Sequence, residues 1–98
     1  MKDENDILRS AISGLFDIQA EPEKVIVTAP APLCDAFYRF LSDRHPESRT
    51  IMFRPPLELG HEIHFLNSSS EQVIQWVNRF SRESDSNTVH DCYRAIYP

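Results

Sequence analysis

Glycine is almost missing from this 98-residue chain: Gly14 and Gly60 are the only two, and they lie far apart. Clustered glycines let a backbone approach phosphate, so the P-loop and the dinucleotide-binding fingerprint are both excluded. No serine is flanked by glycines in the manner of a nucleophile elbow. Cysteine is scarce too. Cys34 and Cys92 cannot build a disulfide scaffold, and two reduced thiols in a cytoplasmic protein are the expectation. No apolar run approaches the ~20 residues that span a bilayer. The opening Met1-Lys2-Asp3-Glu4-Asn5-Asp6 is acidic and has no apolar signal core, which points away from secretion.

The chain has the size of one domain, with a core of limited extent. Net charge is −5, which disfavours general nucleic-acid binding. The charge is segmented. Residues 1–23 carry a net of −4, residues 24–57 a net of +2 and residues 58–98 a net of −3. Eight of the ten cations are arginine. Arginine's planar fork suits paired contacts with carboxylate or phosphate. Arg39, Arg44, Arg49 and Arg54 are spread through the basic middle.

Hydrophobic periodicity organises the chain. Ile7, Leu8, Ala11, Ile12, Leu15 and Phe16 form one stripe of an N-terminal helix over residues 1–17. Residues 17–23, ending in Glu21-Pro22-Glu23, read as a connector. A β-α-β-β-α core is expected over residues 24–80. Its first strand is the apolar run Val25-Ile26-Val27. Pro30 and Pro32 suit the first turn of the helix that follows, with Leu33, Ala36, Phe37, Phe40 and Leu41 on one face. That helix stops near His45-Pro46. Strands follow over 50–54 and 61–66, joined by Pro55-Pro56-Leu57-Glu58-Leu59-Gly60. Ser68 with Glu71 matches a capping box, ahead of the stripe Val73, Ile74, Trp76, Val77 and Phe80. The C-terminal element, residues 88–97, fits a helix through Val89, Cys92, Tyr93 and Ile96, while its β-branched and aromatic content fits a strand.

The fold class is therefore α+β: a single small two-layer domain over residues 1–98 with a short mixed sheet. The first two strands are expected to be parallel neighbours, and the third antiparallel. Such a sheet leaves edges, so a partner or a second copy of the chain is expected to cover one.

Cys34 is the best nucleophile candidate, because it lies in the first turn of a helix, where the dipole lowers a thiol pKa. Residues 25–41 resemble the first strand and helix of the thioredoxin and glutaredoxin family. Ala31-Pro32-Leu33-Cys34 occupies the place of that family's redox Cys-x-x-Cys, and Ala31 stands where the attacking cysteine belongs. The activity is not carried over. Cys34 and Arg39 have four residues between them, against the five of a phosphatase loop. His61, His64, His90 and Cys92 are a conceivable zinc set, but His61 and His64 point to opposite faces of a strand. No metal, cofactor or catalytic residue is assigned.

The remaining reading is a small acidic cytoplasmic protein-interaction module: an inhibitor, an antitoxin- or immunity-like neutraliser, or an adaptor. Its acidic charge steers it to a basic protein partner. Tyr38, Arg54, Leu57, Glu58 and Leu59 are the expected contact residues. The alternatives are nucleic-acid binding through the central arginines and a small thiol-dependent enzyme using Cys34.

Overall fold

The computed structural model describes residues 4–54 and 60–97. Elements run α1 (Glu4–Ser13), β1 (Asp17–Ala20), β2 (Val25–Ala29), α2 (Ala31–Arg44), β3 (Thr50–Phe53), β4 (His61–Phe65), α3 (Ser70–Glu83) and α4 (Ser86–Ile96). The α+β class holds.

The four strands form one sheet in the order β1-β2-β4-β3, and every neighbouring pair is antiparallel. This corrects the mixed sheet expected from sequence. β2 and β3 do run in the same direction, but β4 is inserted between them, giving a split β-α-β unit. Burial accounts for the insertion. Ile63 and Phe65 of β4 are fully buried, whereas β3 sends only the half-buried Met52 and Thr50 inward. The strand with more to bury takes the central place.

A second correction concerns residues 17–23. They are not a connector throughout: Asp17–Ala20 is an edge strand, closed onto β2 by a turn in which the Glu21 N–H donates to the Lys24 carbonyl at 2.8 Å. The N-terminal helix is shorter than residues 1–17, ending at Ser13. The Leu15 N–H then donates to the Ile12 carbonyl and turns the chain into β1. The cap of α3 also moves by one residue. Ser69, not Ser68, accepts from the Gln72 N–H. The C-terminal element is helical, capped by Asp85, whose carboxylate accepts from the Thr88 N–H at 2.7 Å. That bond, to backbone and side chain of Thr88, holds the Asp85 carboxyl below its usual range.

Strand register sorts side chains by parity. Val25, Val27, Ala29, Ile63, Phe65, Met52 and Ile18 share the inner face, where they join the buried residues of all four helices in one core. Phe37 and Phe80 sit at its centre, with ring centroids 5.4 Å apart. Phe16, just past α1, packs edge-on against both, at 5.1 and 5.9 Å. Trp76 is core, stacked on Phe65 at 5.6 Å. One guanidinium ties α1 to the junction of α3 and α4: Arg9 Nη1 donates to the carbonyls of Ser81 (2.9 Å), Arg82 (3.3 Å) and Ser84 (2.6 Å). A cation on the last carbonyls of a helix satisfies groups that have no partner within it.

Candidate interaction surface

The opposite parity of the strands faces away from the helices. Three cross-strand rows can be read from the register: Glu21–Lys24–Leu66–Arg49, then Gln19–Ile26–His64–Ile51, then Asp17–Thr28–Glu62–Phe53. None of these residues is buried, and the helices' buried apolar side chains all belong to the core on the other face. Ile51 and Phe53 are each 45 % exposed and Leu66 42 %. In a lone antiparallel sheet one face is expected to be polar. Here the outer face carries four apolar side chains, counting Ile26. Periodicity alone groups Ile51 with Phe53 but does not reveal that the pair points outward; only the pairing of Met52 with Ile63 fixes that.

His64 sits at the centre of this face. Its Nε2 lies 3.0 Å from Glu62 Oε1, and its ring is 4.3 Å from that of Phe53. The arrangement holds Phe53 against β4 and fixes the apolar strip along β3.

β3 is also a sheet edge. At its far end the exposed Arg54 pairs with Asp35 of α2 at 3.3 Å, and His61 Nδ1 lies 3.5 Å from the same carboxylate oxygen. That second approach is not a hydrogen bond. His61 Nδ1 is buried and makes no hydrogen bond among the described residues. At the near end, Tyr38 is half-buried and lines a small hollow with Ser42, Pro46, Ser48, Arg49 and Thr50. Of the contact residues expected from sequence, Tyr38 and Arg54 thus flank opposite ends of β3. Leu57, Glu58 and Leu59 lie outside the described residues.

The other candidates are dispersed. Cys34 is fully buried, and burial, reinforced by Asp35 and Glu62 against Arg54, pushes its thiol up to about 12. The effect of the helix N-terminus is overridden, so the thiol is neutral at pH 7. Burial raises Cys92 as well, and both cysteines are free thiols. Among the described residues no group of three metal-ligating side chains converges, and His64 and His61 lie on opposite faces of β4. Arg44 is paired with Glu83 at 3.1 Å and Arg54 with Asp35, so two of the four central arginines face acids of their own chain. A hollow of about 560 Å³ is an open polar groove between α1 and α3 in which Arg9 is already committed to backbone carbonyls. Among the described residues no helix is long and apolar enough to cross a membrane.

Comparisons with protein-family models, with curated proteins and with solved structures find no match to this chain.

Proposed function

We propose that this protein is a binding module that acts by docking the open face of its sheet onto a protein partner, as an inhibitor, neutraliser or adaptor does. The observation that carries the proposal is the exposure of Ile51, Phe53 and Leu66 together on a face that none of the described helices covers. Exposed apolar side chains that cluster, rather than scatter, mark interaction sites. Aromatic anchors such as Phe53 supply contact area at low entropic cost. The face carries three acids, Asp17, Glu21 and Glu62, against two bases, Lys24 and Arg49, so its own charge is small and the net charge of −5 governs encounter and favours a basic partner. Tyr38 and Arg54 lie beside the two ends of β3 on the helix side, next to this surface. The cytoplasm is the proposed location.

The test is capture from native lysate with the tagged chain and with an Ile51→Glu/Phe53→Glu variant, after nuclease and at two salt concentrations. A protein retained stoichiometrically by the parent chain and lost by the folded variant is the expected result. Retention by both removes the open face from the function. Recovery of nucleic acid that leaves at moderate salt favours the central arginines instead.

A further inference from the structure

The two edges of the sheet are opposite in charge and match each other in backbone register. β1, with the turn that follows it, carries Asp17, Glu21 and Glu23, all exposed. β3 is flanked by Arg49 and Arg54, also exposed, and among the described residues the Arg49 side chain has no ion pair or hydrogen-bonded partner. We infer that this chain self-associates head to tail, with β3 of one copy pairing antiparallel to β1 of the next.

The backbone sets the register. The Leu66 N–H donates to the Arg49 carbonyl, so residues 49, 51 and 53 turn their peptide groups toward β4. That leaves Thr50, Met52 and Arg54 with peptide groups directed outward. The Glu21 N–H donates to the Lys24 carbonyl, so 17, 19 and 21 bond to β2, and Ala20, Ile18 and Phe16 are directed outward. Continuing the sheet row by row places Thr50 opposite Ala20 of the neighbouring copy and Met52 opposite its Ile18. Outward groups meet outward groups along the whole seam, which meets the hydrogen-bonding requirement of an edge.

The side chains agree with this register. Met52 and Ile18 are both half-buried at the margins of the core. On the helix side they abut across the seam and join the two cores. On the open side Arg49 comes opposite Glu21 in a non-hydrogen-bonded pair, where side chains are closest. At the other end Asp17 comes opposite Phe53 on the open side, while Arg54 lies on the helix side with its own Asp35. The strand directions are those of a repeated sheet: β3 and β1 are antiparallel within one copy, so translation along the sheet preserves antiparallel pairing and keeps all helices on one side. A two-fold β3–β3 pairing instead brings Arg49 and Arg54 of both copies onto one seam without the acids of β1. Because the contact is heterologous, it propagates and does not stop at a dimer. The apolar open faces become continuous from copy to copy. The inference concerns the edges alone and stands independently of any foreign partner on the face.

The experiment is sedimentation equilibrium of the purified chain, of Arg49→Glu, of Glu21→Arg, and of the two variants mixed. The seam is smaller than a standard interface, so the range needed reaches ~1 mM protein. At ~50 mM salt the average mass of the parent chain rises with concentration past that of a dimer, and at ~500 mM salt it returns toward the monomer. Each variant alone stays monomeric, because like charges then meet at the seam. The equimolar mixture associates. There the Arg49 kept by the Glu21→Arg variant meets the Glu21 kept by the Arg49→Glu variant, and the two substituted side chains meet each other with their charges exchanged. A monomeric parent chain throughout overturns the inference. So does a mass that stops at dimer and ignores Glu21→Arg, or a mixture that fails to associate. Circular dichroism confirms folding. If charge reversal disturbs the fold, Arg49→Gln and Glu21→Gln each lower the association in the same assay, and an unchanged mass refutes the seam.

Discussion

Replacing Arg9 by methionine is the sharpest test of how the N-terminal helix is held. Methionine keeps the apolar stem and removes the guanidinium. Arg9 Nη1 donates to three carbonyls at the C-terminus of α3, at 2.6, 2.9 and 3.3 Å, two of them in partly buried contacts. Hydrogen bonds involving a charged group contribute roughly 1.5–3 kcal/mol in net terms, and shared donors do not add fully. The last carbonyls of α3 also lose the cation that complements the negative end of the helix dipole. The expected loss is about 2 kcal/mol. With a urea dependence of roughly 1–2 kcal/mol per molar, the unfolding midpoint falls by ~1–2 M at unchanged slope. Arg82→Met serves as the control, because Arg82 is exposed at the same helix end and its side chain makes no such contacts among the described residues; its effect stays within about 0.5 kcal/mol. If Arg9→Met is no worse than this control, α1 is not anchored by its guanidinium, and its other contacts, Leu8 and Ile12 in the core and Asn5 against His90, hold it instead.

Cys34 is expected to resist alkylation. With its thiol pushed up to about 12 from 9.0, its thiolate fraction at pH 8 is about a thousandfold below that of an unfolded cysteine, and iodoacetamide labelling followed by mass spectrometry should show a lag of at least that size until denaturant is added. The same shift links stability to pH: the unfolded thiol ionises near 9 while the folded one stays protonated to about 12, so stability is whole below pH 9 and falls by an amount of order 4 kcal/mol as pH rises through 12; a flat denaturation midpoint over that window refutes the burial argument. Phe37→Ala removes the ring shared by Phe16, Phe65 and Phe80 and should cost about 3–5 kcal/mol in chemical denaturation, most of the stability of a domain this size. Gly60 has φ +96°, and an added Cβ falls 2.5 Å from the Ala29 carbonyl oxygen, so Gly60→Ala should lower stability by at least about 2 kcal/mol, seen as a reduced thermal midpoint; a neutral result contradicts the placement of β4 beside β2.

The elements that bury a continuous apolar stripe are legible in the sequence: α2, α3, β2, β4 and the helical option for the C-terminus. β1 is not, because Asp17-Ile18-Gln19-Ala20 contains one large apolar residue and an edge strand needs only one inward anchor. The cap of α3 is ambiguous for a chemical reason, since Ser68, Ser69 and Ser70 all offer a hydroxyl and backbone geometry chooses among them. Strand order is not encoded locally at all. It follows from comparing what β3 and β4 have to bury. For the surface, periodicity groups Ile51 with Phe53 on one side of β3, but only the pairing of Met52 with Ile63 decides that this side faces outward. The Arg9 contact leaves no local trace, since its carbonyl partners lie more than 70 residues away along the chain.

The segmented charge of the chain becomes a polarity of the folded sheet through the insertion of β4. The acidic opening segment supplies β1, one edge, and the basic middle supplies β3, the other. Had β3 paired beside β2, β4 would be the edge, and its Ile63 and Phe65, now fully buried, would lie at the margin of the core. Inward Thr50 and Met52 would then hold the centre with less apolar area, so the exchange is unfavourable on burial alone. Hydrophobic burial thus selects the strand order, and the strand order sets cations and acids at opposite edges. The charge pattern needs no separate cause in folding. What it adds is direction: an edge that repels its own kind and attracts the other edge makes like-edge pairing unfavourable, which is one way a short-stranded sheet restricts the partners its edges accept.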